Sequence, residues 1–473
     1  MFISSIVIGI LSFLIYCFFN FILERSSIPN HLINHTVVFR ENLISKIVGD
    51  SLRKHIKEIS VFPSNINADR KAAKGIQFDS NSDNIGEGQL INDDGTCNDP
   101  LLIPNHDQTL CVFPQRVDVG KAFISTGGVD GLRENYASLL SRTSSFGAYR
   151  FINSRDEDGN SNNNINAAVK TLFKSEKFLQ VAREICPADK QVLDPFQYNF
   201  IINVPGQTVP LHLDCPIFYG ATREQFPQWL LVAMAFSGLP EFQRRYVDQV
   251  QIVGYLHEWL PKKEALGDFV FYTKDSSHFD ILPSLPSSGI AVDGAKTIHA
   301  ARTYRPADFL PILSKDKQSN LVYDSNAEGT DKEWLLQVDD ETVKTFRWED
   351  LRVTIVYRTR CFKDDKARRS WPKHPAANDS SSSSSSSSSI DEGFDTLSLT
   401  SILDIFTKDL ISRELLTTVT AASISRLELG RLIQETYIRY PLPDAKIASF
   451  PWNYCVLQQV LPSFIAPLFD AIC

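Results

Sequence analysis

Residues 207–214 read QTVPLHLD, and the alternation of their side chains sets the terms for the rest of the chain. In an extended strand, residues two apart point to the same face, so His212 and Asp214 project into one cavity. An imidazole beside a carboxylate supplies two corners of a facial metal triad; a third corner needs one more imidazole from a distant strand. A bare His-x-Asp is common by chance, so the surroundings decide its meaning. Working outward, short β-branched and aromatic runs recur: QYNFIINV (197–204), VQIVGYLHEWL (250–260), GDFVFYT (267–273), GIAVDG (289–294), KTIHAA (296–301) and LRVTIVYRTR (351–360). Short strands punctuated by Gly and Pro predict a β-sandwich or barrel. One helix, 222–239, interrupts them, and its Trp229 and Phe236 read as core at helical spacing.

His299 stands on the second strand of a strand–turn–strand pattern, with Asp293 and Gly294 in the turn. It is the expected third ligand, with His278 and His257 as alternatives. The run RVTIVYR (352–358) opens on Arg352, whose planar fork grips a carboxylate through two parallel hydrogen bonds. Thr354 faces the same way and adds a hydroxyl. Arg358 keeps the same strand parity and is a rival to Arg352, as is Arg305. The loop CPIFYG (215–220) follows the metal pair directly, which makes Phe218, Tyr219 and Arg223 candidates for substrate contact. Cys215 has no His–acid partner pattern and reads as an ordinary buried thiol. There is no P-loop, GxGxxG, GxSxG or CxxC.

Taken together, His212, Asp214, His299, Arg352 and Thr354 resemble the signature of the 2-oxoglutarate/Fe(II) dioxygenase superfamily over about 195–360. That resemblance implies an α+β fold with a double-stranded β-helix (jelly-roll) core and flanking helices. It implies Fe(II) on His212, Asp214 and His299, 2-oxoglutarate as co-substrate on Arg352 and Thr354, ascorbate as a reductant, and hydroxylation of a C–H bond. Tyr198 and Asn199, on the strand before the metal pair, are positioned to touch the co-substrate; for Tyr198 the alternative is simple packing. Arg352 lies further from His299 than is usual in that family, and an acidic, turn-rich insertion at 306–348 accounts for the gap. A protein side chain, a lipid or a glycan is the expected substrate class. The rival readings are a cupin-like binding module without turnover and a membrane-tethered scaffold.

Composition bounds the remainder. Apolar residues make up 43%, charged residues 22%, and the net charge is -8 with no basic stripe, which argues against a nucleic-acid partner. Residues 2–23 carry no charge and have the length of a membrane span, so 1–23 is expected to be a single-pass transmembrane anchor. A stalk and irregular region should follow (24–110), then the oxygenase domain (111–370), a Ser-rich linker (371–393) and a C-terminal helical region (394–473). Basic residues after the anchor favour a cytosolic body. A disulfide-compatible pair, Cys97 and Cys111, and the sequons at Asn34 and Asn378 favour the ER/Golgi lumen, the preferred side.

Overall fold

The computed structural model describes residues 35–65, 89–90, 92, 103–104, 110–112, 141–152, 165–223, 225–260, 266–272, 279–305, 308, 310–314, 317–371 and 396–438. Strands are numbered in chain order: β1 Val38–Arg40, β2 Val61–Pro63, β3 Gln89–Leu90, β4 Ile103–Pro104, β5 Leu110–Val112, β6 Phe146–Phe151, β7 Val192–Asn203, β8 Val209–His212, β9 Gln249–Tyr255, β10 Phe269–Phe271, β11 Asp280–Leu282, β12 Gly289–Val292, β13 His299–Ala301, β14 Ser319–Tyr323, β15 Trp334–Val338, β16 Glu341–Phe346 and β17 Arg352–Phe362.

Two antiparallel sheets frame the site. The larger runs β1-β12-β9-β17-β7-β6 and the smaller β11-β10-β13-β8. From β7 onward the chain crosses between them, so β7, β9, β12 and β17 face β8, β10, β11 and β13. Register fixes which side chains look inward. Arg352, Thr354, Val356 and Arg358 of β17 lie level with Asn203, Ile201, Asn199 and Gln197 of β7. Across β17's other edge, Thr354, Val356 and Arg358 meet Tyr255, Val253 and Gln251 of β9. Between the sheets, Val253, Tyr255, Phe269, Phe271, Ile290, Val292 and Val356 form a small apolar core.

The opposite face of the large sheet carries the main core, where Phe200, Ile202, Val353, Ile355 and Tyr357 pack under helices. One helix, Lys46–Ile59, buries Gly49, Leu52 and Ile56 at helical spacing and is capped by Ser45. Thus part of the segment expected as a stalk packs on the barrel, and Val38–Arg40 pairs with β12 as an edge strand. The run AAVKTLFKSEKFLQVAREIC (167–186) has one continuous helical pattern but folds as two helices, Ala167–Lys174 and Glu176–Ile185. Ser175 breaks it: its extended backbone ends the first helix while its hydroxyl accepts the Phe178 N–H of the second, a cap worth about 1 kcal/mol.

The 306–348 segment is not simply turn-rich. It folds into β14, β15 and β16, which join β2 in a further sheet, with Trp334, Leu336, Leu321 and Phe62 buried. The helix Gln228–Ser237 is buried on all sides, and Trp229 and Phe236 are core. Helices Leu399–Ser412 and Arg426–Tyr437 cover it, with Ile402, Phe406, Leu410 and Ile433 in its cluster. A disulfide, Cys186–Cys361, ties the end of the Glu176–Ile185 helix to β17.

The expected fold class and membrane placement require correction. No helix among the described residues is long and apolar enough to cross a membrane. The longest have 14 residues, a rise of about 21 Å against the roughly 30 Å of a bilayer core. The chain is a mixed α/β protein of antiparallel sheets, and the single-pass, lumen-facing localisation is withdrawn. The anchor at 1–23, the serine run, Cys97 and both sequons lie outside the described residues.

Candidate metal centre

β8 and β13 are adjacent, and His212 stands directly opposite His299. Their ring centroids are 4.2 Å apart. Asp214 lies just past the end of β8, where its backbone N–H donates to Gly294 O at 2.8 Å. One donor atom each from His212, Asp214 and His299 lies within 4.8 Å of the others, and all three residues are buried. His278 lies outside the described residues. His257 is elsewhere: its Nε2 meets Ser284 O at 2.8 Å and its ring stacks on Trp259.

The two imidazoles share one orientation device. His212 Nδ1 is 2.8 Å from Pro210 O, and His299 Nδ1 is 2.8 Å from Thr297 O. A carbonyl only accepts, so each Nδ1 carries a proton, and Nε2 is the ring atom left to meet a metal. Gly294 is the close approach that brings the set together: a Cβ there would lie 2.1 Å from Asp214 Oδ2 and 3.1 Å from His299 Cε1. Two imidazoles and one carboxylate gathered within 4.8 Å are a donor set that fits a ferrous ion.

Arg358 belongs to this centre and not to a separate anion pocket. Its Nη2 donates to Asp214 Oδ1 at 2.6 Å and to Gln251 Oε1 at 2.8 Å. Gln251 Nε2 in turn lies 3.2 Å from His299 Nε2. Gln197 completes the fan around Arg358 Nη1 at 3.5 Å. Sequence reasoning weighed Arg358 only as a co-substrate anchor, and Gln251 and Gln197 carried no signal beyond their inward parity.

Further along the same face lies a second polar group. Arg352 is buried, with Nε donating to Gly267 O at 3.0 Å and Nη1 to Asn203 Oδ1 at 3.1 Å. Its guanidinium carbon is 5.3 Å from the Tyr255 ring centroid. Burial pushes the Tyr255 hydroxyl up, with Arg352 working against it. Asn203 Nδ2 is buried without a hydrogen-bond partner among the described residues, and the buried Tyr255 Oη faces Arg352. A guanidinium, a phenol and an amide N–H gathered in a buried space could hold a carboxylate. Thr354 sits between the two groups and donates to Ile201 O at 3.2 Å.

Tyr198 does not reach this space. It pairs with Tyr357 on the outer face and packs on Phe173 at 5.7 Å, so the expected co-substrate contact is corrected. Strand parity is the reason: Gln197 and Asn199, one residue to either side, face inward. Arg305 pairs with Asp350 at 2.8 Å, half-exposed. Phe218 is fully buried core, Tyr219 packs on Trp371 at 5.1 Å and Arg223 is exposed. Cys215 makes no disulfide among the described residues, and its Sγ lies 3.6 Å from Pro216 O.

No family model matches the chain, and no curated protein matches it. Among solved structures it is similar to a Pseudomonas putida prolyl-4-hydroxylase, with 9% identity over 69% of this chain and 93% of that one, at a TM-score of 0.27. It is similar to a 2OG-Fe(II) oxygenase-family oxidoreductase from Burkholderia pseudomallei, with 9% identity over 47% and 69% and a TM-score of 0.24. A third is the viral collagen prolyl hydroxylase of Paramecium Bursaria Chlorella virus-1 in its 2OG complex, with 10% identity over 46% and 78% and a TM-score of 0.22.

Proposed function

We propose that this chain is an Fe(II)- and 2-oxoglutarate-dependent oxygenase that hydroxylates its substrate. The observation that carries the reading is the convergence of His212, Asp214 and His299, with both Nδ1 atoms committed to backbone carbonyls. When bound, iron and 2-oxoglutarate together supply the chemistry: one atom of O2 enters a C–H bond, the other enters succinate, and CO2 leaves.

The chain's residues do the rest. His212 and His299 offer Nε2, and Asp214 offers Oδ2 while Arg358 grips Oδ1. That grip occupies one carboxylate oxygen and leaves Oδ2 as the one that would hold a metal. His299 Nε2, the ring atom that would hold it, lies 3.2 Å from Gln251 Nε2. Arg352, with Tyr255 and Asn203, receives the far carboxylate of 2-oxoglutarate beside the apolar cluster of Phe269, Phe271 and Val356. The carboxylate sheds its water there, a cost that paired hydrogen bonds from the guanidinium offset.

Turnover of 2-oxoglutarate to succinate with Fe(II) and ascorbate tests the proposal. His212→Ala should abolish it. Arg352→Ala should raise the 2-oxoglutarate KM by about 10–100-fold, the loss of a charge-assisted pair. Arg358→Ala should instead weaken metal binding and leave that KM nearly unchanged. Metal uptake without succinate would favour the non-catalytic binding module. A 2-oxoglutarate requirement that follows Arg358 and ignores Arg352 would overturn the assignment of the anchor.

A further inference from the structure

The turn between β12 and β13 touches two of the three ligand residues at once. Gly294 O accepts the Asp214 N–H, and Thr297 O accepts His299 Nδ1–H. The turn is closed by Asp293, whose carbonyl accepts the N–H groups of Lys296 and Thr297 and whose Oδ1 accepts the Ala295 N–H. A shift of this turn by a few tenths of an ångström moves Asp214 against His299, because Gly294 leaves no slack between them.

Something must hold the turn from behind, and a half-buried ion relay does so. Lys296 Nζ lies 2.6 Å from Asp248 Oδ1 and 3.7 Å from Asp293 Oδ2, and sits 4.5 Å over the Tyr246 ring. Asp248 directly precedes β9, and its other oxygen meets Lys190 Nζ at 2.7 Å. Asp248 is also fixed by its backbone: its carbonyl accepts the Cys361 N–H of β17. Burial works to raise the Asp248 carboxyl, and Lys296 and Lys190 overcome it and hold it below the ordinary range.

We infer that Lys296 is a positioning residue of the metal centre: through its half-buried pair with Asp248 it fixes the 293–297 turn, whose carbonyls place Asp214 and His299. The inference rests on the reading of the triad as a metal site. It makes a prediction of definite sign. A lysine that acts on the metal only through its charge repels a dication, so its removal would tighten metal binding. A lysine that positions the ligands does the reverse.

Cobalt(II) titration of the full chain, followed by visible d–d absorption, separates these. Lys296→Met keeps the stem and removes the ammonium; it should bind Co(II) about 10–100-fold more weakly, the usual effect of losing a group that orients metal ligands. Asp248→Asn should weaken binding likewise, and the double variant should be no worse than the weaker single one, since both cut one link. Asp248→Asn carries the test should Lys296→Met fail to fold. Unchanged or tighter cobalt affinity in a folded variant, even with a lowered melting temperature, overturns the positioning role. A wild-type chain that takes up no Co(II) overturns the metal-centre reading itself, and the positioning role falls with it.

Discussion

Gly294→Ala puts the site geometry under the sharpest strain. The added methyl would sit 2.1 Å from Asp214 Oδ2, 2.9 Å from Asp214 Cγ and 3.1 Å from His299 Cε1. A carbon–oxygen contact relaxes only beyond about 3 Å, so the carboxylate or the turn must give way by roughly 1 Å, in a core packed too densely to absorb it. The carboxylate is not free to retreat, because Arg358 holds its other oxygen at 2.6 Å. Moving the turn instead stretches the 2.8 Å bond from the Asp214 N–H to Gly294 O. Overpacking of this kind costs about 1–3 kcal/mol, read as a melting temperature several degrees lower in the metal-free chain. Displacing one ligand should weaken Co(II) or Fe(II) binding on the order of 100-fold. Gly329→Ala is the matched control: its φ is +78° but nothing lies within 4 Å, so it should cost about 1–2 kcal/mol of backbone strain and leave metal affinity alone. A Gly294→Ala chain with wild-type melting and wild-type metal affinity would refute the packing argument.

Two further outcomes follow from buried groups. Burial holds the His257 imidazole down at about 3, against about 6.5 in an unfolded chain. The unfolded state therefore binds the extra proton, and stability should fall as pH drops from about 6.5 toward 3, by up to about 1.4 kcal/mol per pH unit. Urea unfolding of His257→Gln across that range should show a shallower slope; an identical slope would remove His257 as its source. Cys186→Ser should lower stability by about 2–5 kcal/mol, with the folded fraction still binding metal. A melt insensitive to both this change and to reductant would mean the cross-link contributes nothing.

The period-of-two pattern was enough to place His212 and Asp214 on one side of a strand and to call for a distant imidazole. Their meeting with His299 needed more, because it depends on β8 lying beside β13, a pairing no local pattern encodes. Parity also misled where one residue mattered. Tyr198 is the more conspicuous side chain, yet its neighbours Gln197 and Asn199 face inward. Arg352 and Arg358 have equal parity, and only position along β17 separates a pocket partner from a ligand's counter-ion. The 306–348 segment hid its strands because charged turns outweigh SNLVY, WLLQV and ETVKTF in any short window. Cys186 and Cys361 stand 175 residues apart, and no spacing rule joins them. The lysine relay was invisible for the same reason, since its charges come from three separate segments.

That cystine has a topological consequence. His212, Asp214, His299, Arg352 and Arg358 all fall between its two half-cystines, so the whole centre is carried on one covalent ring. The exposed turn around Asn326–Lys332 lies on that ring, after the three ligands and before both arginines. A protease that cuts there yields two fragments which cannot diffuse apart, and the severed protein keeps its full complement of site groups until a reductant opens the ring.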